Sequence, residues 1–404
     1  MRGISFLRRS FTTAALLAWC FTAGAQIADD KCKFLGNIIS GSTPSDFTKY
    51  WNQVSPENAG KWGSTEPTRD NMNWAQLDNA YQTAKSNGLP FKQHTFVWGQ
   101  QQPNWIGTIP TAEQKEEVEE WIKLFCERFP DTDFIDVVNE PLHATPVYDQ
   151  ALGTGWNWVI WTFEKARQYC PKAKLILNDY NIVSSNESTT AYIALINMLK
   201  EKNLIDIIGE QGHFLETTPI ATIKSNLNRL HATGLPIHIS EFDVNIANDT
   251  EQRTKYQELF PALWEHAGVQ GITLWGYRQG EIWRENAYLV RSDGTERPAM
   301  TWLKTYVSGA PGGTFCGPVT AVPKDDDDSF VSVYPNPAID GTVYVLSPKD
   351  DAVVEVFNMQ QQLVACANAP KGQHTSVAIN GPPAIYVVKV VTGGKTVVLK
   401  MLTK

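Results

Sequence analysis

Residues 111–141 read TAEQKEEVEEWIKLFCERFPDTDFIDVVNEP. Val118, Trp121, Ile122, Phe125 and Phe129 recur at helical spacing, which predicts an amphipathic helix over 111–129 with one buried face. Gln114, three residues after Thr111, fits a capping box at its start. The run Phe134-Ile135-Asp136-Val137-Val138 then reads as a strand, and it ends in the polar Asn139-Glu140-Pro141. The same unit recurs in both directions. Residues 74–87 carry Trp74, Leu77, Ala80, Tyr81 and Ala84 at helical spacing; Asn87-Gly88 stops that helix, and 91–98 follows as a strand. Further strands are expected at 174–177, at 205–208, at 237–239 after Gly234-Leu235-Pro236, and at 272–275 after Gly268 and Gly271. With 34–39 and 51–54 these make eight strands alternating with helices, the pattern of a parallel sheet. Eight units in about 275 residues match a closed (β/α)8 barrel, whose usual size is roughly 250 residues. An open doubly wound sheet is the competitor, but no Gly-rich phosphate loop follows the first strand.

The chain has 404 residues, enough for one large domain and a smaller one. Its 42% apolar and 19% charged content excludes a largely disordered or collagen-like polymer. All 14 Trp lie between Trp19 and Trp302, so the two ends of the chain answer to different demands. A formal charge of −8 argues against a nucleic-acid partner held by bulk positive charge. Residues 1–25 read as a signal peptide: Arg2, Arg8 and Arg9, then an apolar run from Phe11 to Phe21, then Ala23-Gly24-Ala25. Removing them takes the charge to −11, since they hold three Arg and no acids. No later stretch reads as a membrane span. The catalytic-size domain is expected over 26–307, and a linker over 308–329, which holds Gly, Pro and the acidic run Asp325 to Asp328. Residues 330–404 change character to short Val-rich runs at 331–334, 343–346, 353–357, 384–391 and 396–402, expected as a small all-β sandwich.

Cysteine spacing does not resemble a zinc site. Export would permit disulfides, with Cys32–Cys316 and Cys126–Cys170 as the candidate pairs and Cys366 left over. Buried free thiols are the alternative for either pair.

In a barrel of this type, functional side chains gather at the C-terminal ends of the strands. Those ends are polar here: Asn139-Glu140, Asn178-Asp179-Tyr180-Asn181, Glu210-Gln211-Gly212-His213, Ser240-Glu241-Phe242-Asp243 and Trp275-Gly276-Tyr277. A carboxylate after an apolar β-branched run is costly to bury without partners. One such acid is often structural, whereas two on the fourth and seventh strands favour catalysis. Glycoside hydrolysis uses two carboxyls in this way, one as proton donor and one attacking the sugar carbon. Trp98, Trp275 and Trp283 near strand ends suit a sugar-stacking platform, with core packing the alternative for each; Trp121 on its helix face reads as core.

Over residues 33–307 the sequence resembles glycoside hydrolase family 10, the retaining endo-β-1,4-xylanases. The resemblance rests on an ordered set: Val54 to Trp62 with Glu57, Asn58 and Lys61; His94 to Trp98 with Gln101, Pro103 and Trp105; Asp136 to Glu140; Asn178 to Asn181; Gly209 to His213; Ile239 to Asp243; and Thr273 to Gly276. It implies Glu140 as general acid/base and Glu241 as nucleophile. It further implies that Asn139 meets the 2-hydroxyl of the attacked sugar, and that His213 orients Glu241 while Asp243 supports His213. His94 and Gln211 would line the same sugar site, and Glu57, Asn58, Lys61 and Gln101 would bind the next sugar on the non-reducing side. Trp98, Trp275 and Trp283 would wall the glycone sites, and Tyr180 would face the leaving group. Asp136 reads as a structural acid, and Asp179 stays open. Two positions depart from the family pattern: Gly99 stands where His usually follows Trp98, and Gln279 stands in place of an Asp. The tail, with Tyr334-Pro335-Asn336-Pro337 and Ile385-Tyr386-Val387-Val388, resembles the C-terminal sorting domain of type IX secretion, a small carbohydrate-binding module being the alternative.

The expectation is a secreted, monomeric, retaining endo-β-1,4-xylanase that acts on xylan without metal or organic cofactor and engages secretion machinery through its tail. A β-1,4-glucanase using the same Glu pair and a non-catalytic xylan-binding protein are the alternatives.

Overall fold

The computed structural model of the protein describes residues 26–29 and 31–309 and, further on, 332–339, 342–346, 350–358, 362–379, 382, 384–392 and 395–402. The expected signal peptide, residues 310–329 of the expected linker and Cys316 lie outside the described residues. The chain divides into two compact units, Met1–Ala321 and Val322–Lys404.

In chain order the first unit runs β1 (Phe34–Ile39), α1 (Phe47–Tyr50), β2 (Val54–Pro56), α2 (Trp62–Thr65), α3 (Ala75–Ser86), β3 (Lys92–Val97), α4 (Thr111–Arg128), β4 (Phe134–Asn139), α5 (Asp149–Leu152) and α6 (Asn157–Tyr169). It continues β5 (Lys174–Asp179), α7 (Asn186–Glu201), β6 (Ile207–Glu210), α8 (Ile220–His231), β7 (Ile237–Phe242), α9 (Asp249–Trp264), β8 (Val269–Leu274) and α10 (Pro298–Gly309). The eight strands form one sheet in the order β2-β1-β8-β7-β6-β5-β4-β3. A parallel bridge between Val54 and Phe91 joins its two edges, so the sheet closes into the expected (β/α)8 barrel.

The helices bury the faces that their spacing predicts. On α4, Trp121 and Phe125 pack edge-on against Phe96 of β3, and the Trp121 indole donates to the Phe96 carbonyl (3.0 Å). Each such aromatic contributes about 1.5–3 kcal/mol by leaving water. The capping box does not form. Pro110 occupies the N-cap, Thr111 already lies in the first turn, and the Gln114 side chain donates to the Ile109 carbonyl instead (3.2 Å). The second strand begins at Val54 rather than at Trp51, because the Trp51 N–H bonds back to Phe47 and closes α1. The sixth starts at Ile207, two residues later than the apolar run suggests, and extends through Glu210. The last helix continues past Val307 to Gly309.

A disulfide joins Cys126, at the end of α4, to Cys170, just past α6. Closing a loop with a sequence separation of 44 stabilises the folded chain by roughly 3–5 kcal/mol in the chain-entropy account. Among the described residues Cys366 is a free, exposed thiol. Among them too, no helix is long and apolar enough to cross a membrane.

The second unit is the expected β-sandwich. One sheet has the order β13 (His374–Ala378), β10 (Thr342–Leu346), β9 (Ser332–Ile339). The other has the order β12 (Leu363–Ala369), β11 (Ala352–Phe357), β14 (Ile385–Thr392), β15 (Lys395–Leu402). Val343, Val345 and Val377 from the first meet Val354, Val356, Val388 and Val390 from the second in one core. The Val-rich runs predict β9, β10, β11, β14 and β15 but not β12 and β13. Much of β12 is exposed, and β13 places Val377 in the core between the exposed Ser376 and Ala378, so neither carries a Val-rich run.

At the N-terminal end of the barrel, Phe34, Phe134 and His238 plug the interior edge-to-face. Burial holds His238 neutral, with its pKa near 3. Above this plug the interior turns polar, and that polarity builds the site.

Candidate active site

A buried cation forms the floor. Lys92 of β3 lies 3.1 Å from Asp136 of β4 and donates to the Ser240 carbonyl of β7 (3.2 Å). Asp136 also holds the His94 ring at Nδ1 (3.0 Å), so this acid positions two cations or donors under the mouth. One step higher, the Asn178 amide of β5 donates to both Asn139 (2.8 Å) and Glu241 (2.7 Å), while its oxygen accepts from Ser240 (2.5 Å). Only glycine permits this at position 209: a Cβ there would lie 2.5 Å from the Asn178 oxygen.

Glu241 sits near the end of β7 and is 4% exposed. One oxygen takes the Asn178 bond, and the other lies 3.3 Å from His213 Nε2. Burial by itself would raise its pKa, but His94, His213 and Lys92 outweigh burial and pull it to about 2. His213 is the reciprocal case. Its burial disfavours the cation, yet Asp243, 3.0 Å from Nδ1, and Glu241 raise it to about 10. Asp243 in turn accepts from the Trp283 indole (3.0 Å) and from Arg284 (2.6 Å), and Arg284 also pairs with Glu216 (2.9 Å).

Glu140 follows β4 directly and is 8% exposed. Its φ of 55° turns the chain sharply there, a backbone state that persists only where the surroundings enforce it. Gln211 donates to one carboxyl oxygen (3.0 Å) and the Trp98 indole to the other (2.9 Å). Burial nevertheless raises its pKa above the ordinary glutamate value, and the Glu241 charge adds to this. Two carboxyls in one pocket are thus driven apart, one toward the proton and one away from it.

Beside Trp98 stands a second cluster. The Lys61 ammonium donates to Asn58 (3.0 Å) and Gln101 (2.7 Å) and lies 5.0 Å from the Trp98 ring centroid. Glu57 is buried next to it and, with both catalytic-type carboxyls, partly offsets the burial that lowers the Lys61 pKa. Trp275 is buried, edge-on to His94 at 4.9 Å, whereas Trp283 is 50% exposed and lies edge-on to His213 at 4.9 Å. Tyr180 stacks on His143 at 4.0 Å, and His143 pairs with the buried Asp179 (2.6 Å). Asp179 also accepts from the Leu142 N–H (2.9 Å), so it pins the loop that follows Glu140.

The candidate catalytic and sugar-binding residues named in the sequence therefore gather at one end of the barrel. Lys92, His143 and Arg284 were not singled out, and Asn178 was named at a polar strand end without a role. Lys92 carried a signal, a polar residue inside the expected strand 91–98, whereas Asn178 lay just past the expected strand 174–177 and proves to be inside β5. Gly99 proves to be a packing requirement: a Cβ there would lie 2.4 Å from the Ala144 carbonyl. The loop after β4 thus occupies the space of a side chain. Elsewhere Glu66, Asp70 and Glu117 bring carboxyl oxygens within 4.8 Å of one another. Arg69 pairs with Glu117 there, and Glu66 accepts from Trp62 (2.7 Å) and the Asp70 N–H (2.8 Å), so two of the three acids have partners within the protein.

Residues 20–306 match glycosyl hydrolase family 10. Endo-1,4-beta-xylanase B of Cellvibrio japonicus is 46% identical over 275 residues, covering 67% of this chain and 45% of that protein. The chain thus spans less than half the length of that relative. Native xylanase 10B of Thermotoga maritima superposes with a TM-score of 0.64 at 25% identity, over 70% of this chain and 97% of that one. Xylanase B of Clostridium stercorarium F9 does so at 0.61 and 26% identity, over 69% and 99%. With the paired carboxyls at the mouth of a (β/α)8 barrel and this match across most of the barrel sequence, the chain belongs to glycosyl hydrolase family 10.

Proposed function

We propose that the protein is a retaining endo-β-1,4-xylanase that cuts internal bonds of xylan by double displacement. The observation that carries this reading is one hydrogen-bond network holding two buried glutamates whose surroundings push their pKa values in opposite directions. Glu241, held ionised, attacks the anomeric carbon; the carbon–oxygen bond to the leaving sugar breaks, and Glu140 delivers its proton to that oxygen. Forming the glycosyl ester removes the Glu241 charge, one of the causes that keeps the Glu140 pKa high. Glu140 then accepts a proton from water, the water oxygen bonds to the anomeric carbon, and Glu241 is released. This route needs the carboxyls roughly 5–5.5 Å apart.

In this reading Asn139, His94 and Gln211 hold the sugar under attack, His213 and Asp243 orient Glu241, and Glu57, Asn58, Lys61 and Gln101 take the next sugar. Trp98, Trp275 and Trp283 wall the glycone side, and Tyr180 faces the leaving group. Incubation with glucuronoxylan should give short xylo-oligosaccharides by chromatography, and soluble cellulose should give little product. Products chiefly from cellulose would favour the glucanase, and none from either, with folded protein, would favour a binding protein.

We further propose that residues 1–25 direct export and that 330–404 form a sorting tail for type IX secretion, joined by the linker 308–329. The Cys126–Cys170 disulfide supports an oxidising destination. The absence of Trp beyond Trp302 argues against a sugar-stacking tail. Deleting 330–404 should retain the enzyme inside a type IX-secreting host; unimpaired release into the medium would refute the sorting role. The secreted enzyme is expected to be a monomer by light scattering.

A further inference from the structure

Phe214 has no part in the roles above. It directly follows the buried His213, yet 44% of it is exposed. Its φ of 59° lies in the left-handed region, which a bulky residue adopts only where its surroundings enforce it. The ring is nevertheless braced on several sides. Tyr180 lies edge-on at 6.2 Å and Trp283 edge-on at 5.9 Å. The Arg284 guanidinium stands 4.7 Å from the ring centroid. Arg284 is itself fixed by Asp243 and Glu216, so the brace is rigid. The part of the ring left in water gains nothing for folding, since apolar surface stabilises only when it leaves water.

We propose that Phe214 is a substrate-binding residue that contacts the apolar face of the leaving-group sugar, the xylosyl unit on the reducing-end side of the bond being cut. This rests on the xylanase reading and on the placement of Tyr180 given with it. Three tryptophans already serve the glycone side. Phe214 instead spans the gap from Trp283 to Tyr180, one residue from the histidine that touches the nucleophile. Its ring offers a preorganised apolar surface where a pyranose must sit while its oxygen receives the proton of Glu140. The rival role is a prop that merely steadies Arg284, and through it Asp243 and His213.

The two roles separate on two substrates: xylotetraose, which places a sugar on the leaving side, and β-xylobiosyl fluoride, whose leaving atom brings no ring. For Phe214→Ala the ratio of kcat/KM on xylotetraose to that on the fluoride should fall about tenfold, mainly through KM, and Phe214→Tyr should restore most of it. Equal losses on both substrates would assign the prop role and overturn the proposal, as would no loss on either. Failure of the unmodified enzyme on both substrates would instead overturn the xylanase reading itself.

Discussion

Replacing Glu241 by Gln is expected to lower kcat on xylan by about 10⁵-fold, while binding of xylo-oligosaccharides persists. Removing a nucleophile from an interlocked catalytic set commonly costs this much. The substitution keeps the shape and the hydrogen bond from Asn178, which donates to an amide oxygen as well as to a carboxylate. It removes the charge that His94, His213 and Lys92 jointly stabilise. Steady-state rates on xylan together with calorimetric binding of xylotetraose check the result. Retained turnover would mean that the residue is structural.

Glu140→Ala should cost about 10²–10⁴-fold on xylan, the usual worth of a general acid/base, and should reshape the pH profile. In the unmodified enzyme activity needs Glu241 ionised, which holds above a pH of about 2. It also needs Glu140 protonated, which holds below its raised pKa, so the alkaline limb of kcat/KM reports Glu140 losing its proton. The alanine variant should lose that limb. On a substrate with a very acidic leaving group the first step needs no proton, and the variant should accumulate glycosyl-enzyme that added azide discharges. An unaltered alkaline limb would assign the acid role to another group.

The barrel is legible because eight apolar runs alternate with helical periodicity. The two glutamates are legible as a pair, because one acid at the end of a β-branched run is often structural, as Asp179 is here, whereas two on the fourth and seventh strands favour catalysis. The strand ends are less so. Asn139, Asp179, Glu210 and Glu241 all continue their strands, whereas an apolar run stops short of them. Ladder hydrogen bonds, rather than hydrophobicity, carry the strand on into the polar mouth. Thr111 and Gln114 have the spacing of a capping box, yet Pro110 already supplies a fixed φ and takes the cap itself. What local pattern cannot show is which residues from distant strands meet. Asn178 joins Asn139 to Glu241, and Lys92 reaches from β3 to Ser240 on β7, across the barrel rather than along the chain. Gly99 reads as a lost side chain until the Ala144 carbonyl is found in its place.

The covalent intermediate offers the most direct test of the central claim. Incubating the enzyme with a 2-deoxy-2-fluoro-β-xylobioside bearing a dinitrophenolate leaving group slows release of the intermediate, and peptide mass spectrometry then locates the label. The account predicts one fluoroxylobiosyl group per chain, attached to Glu241. A label on Glu140, or an active enzyme that carries no label and releases the α-anomer first, would contradict it.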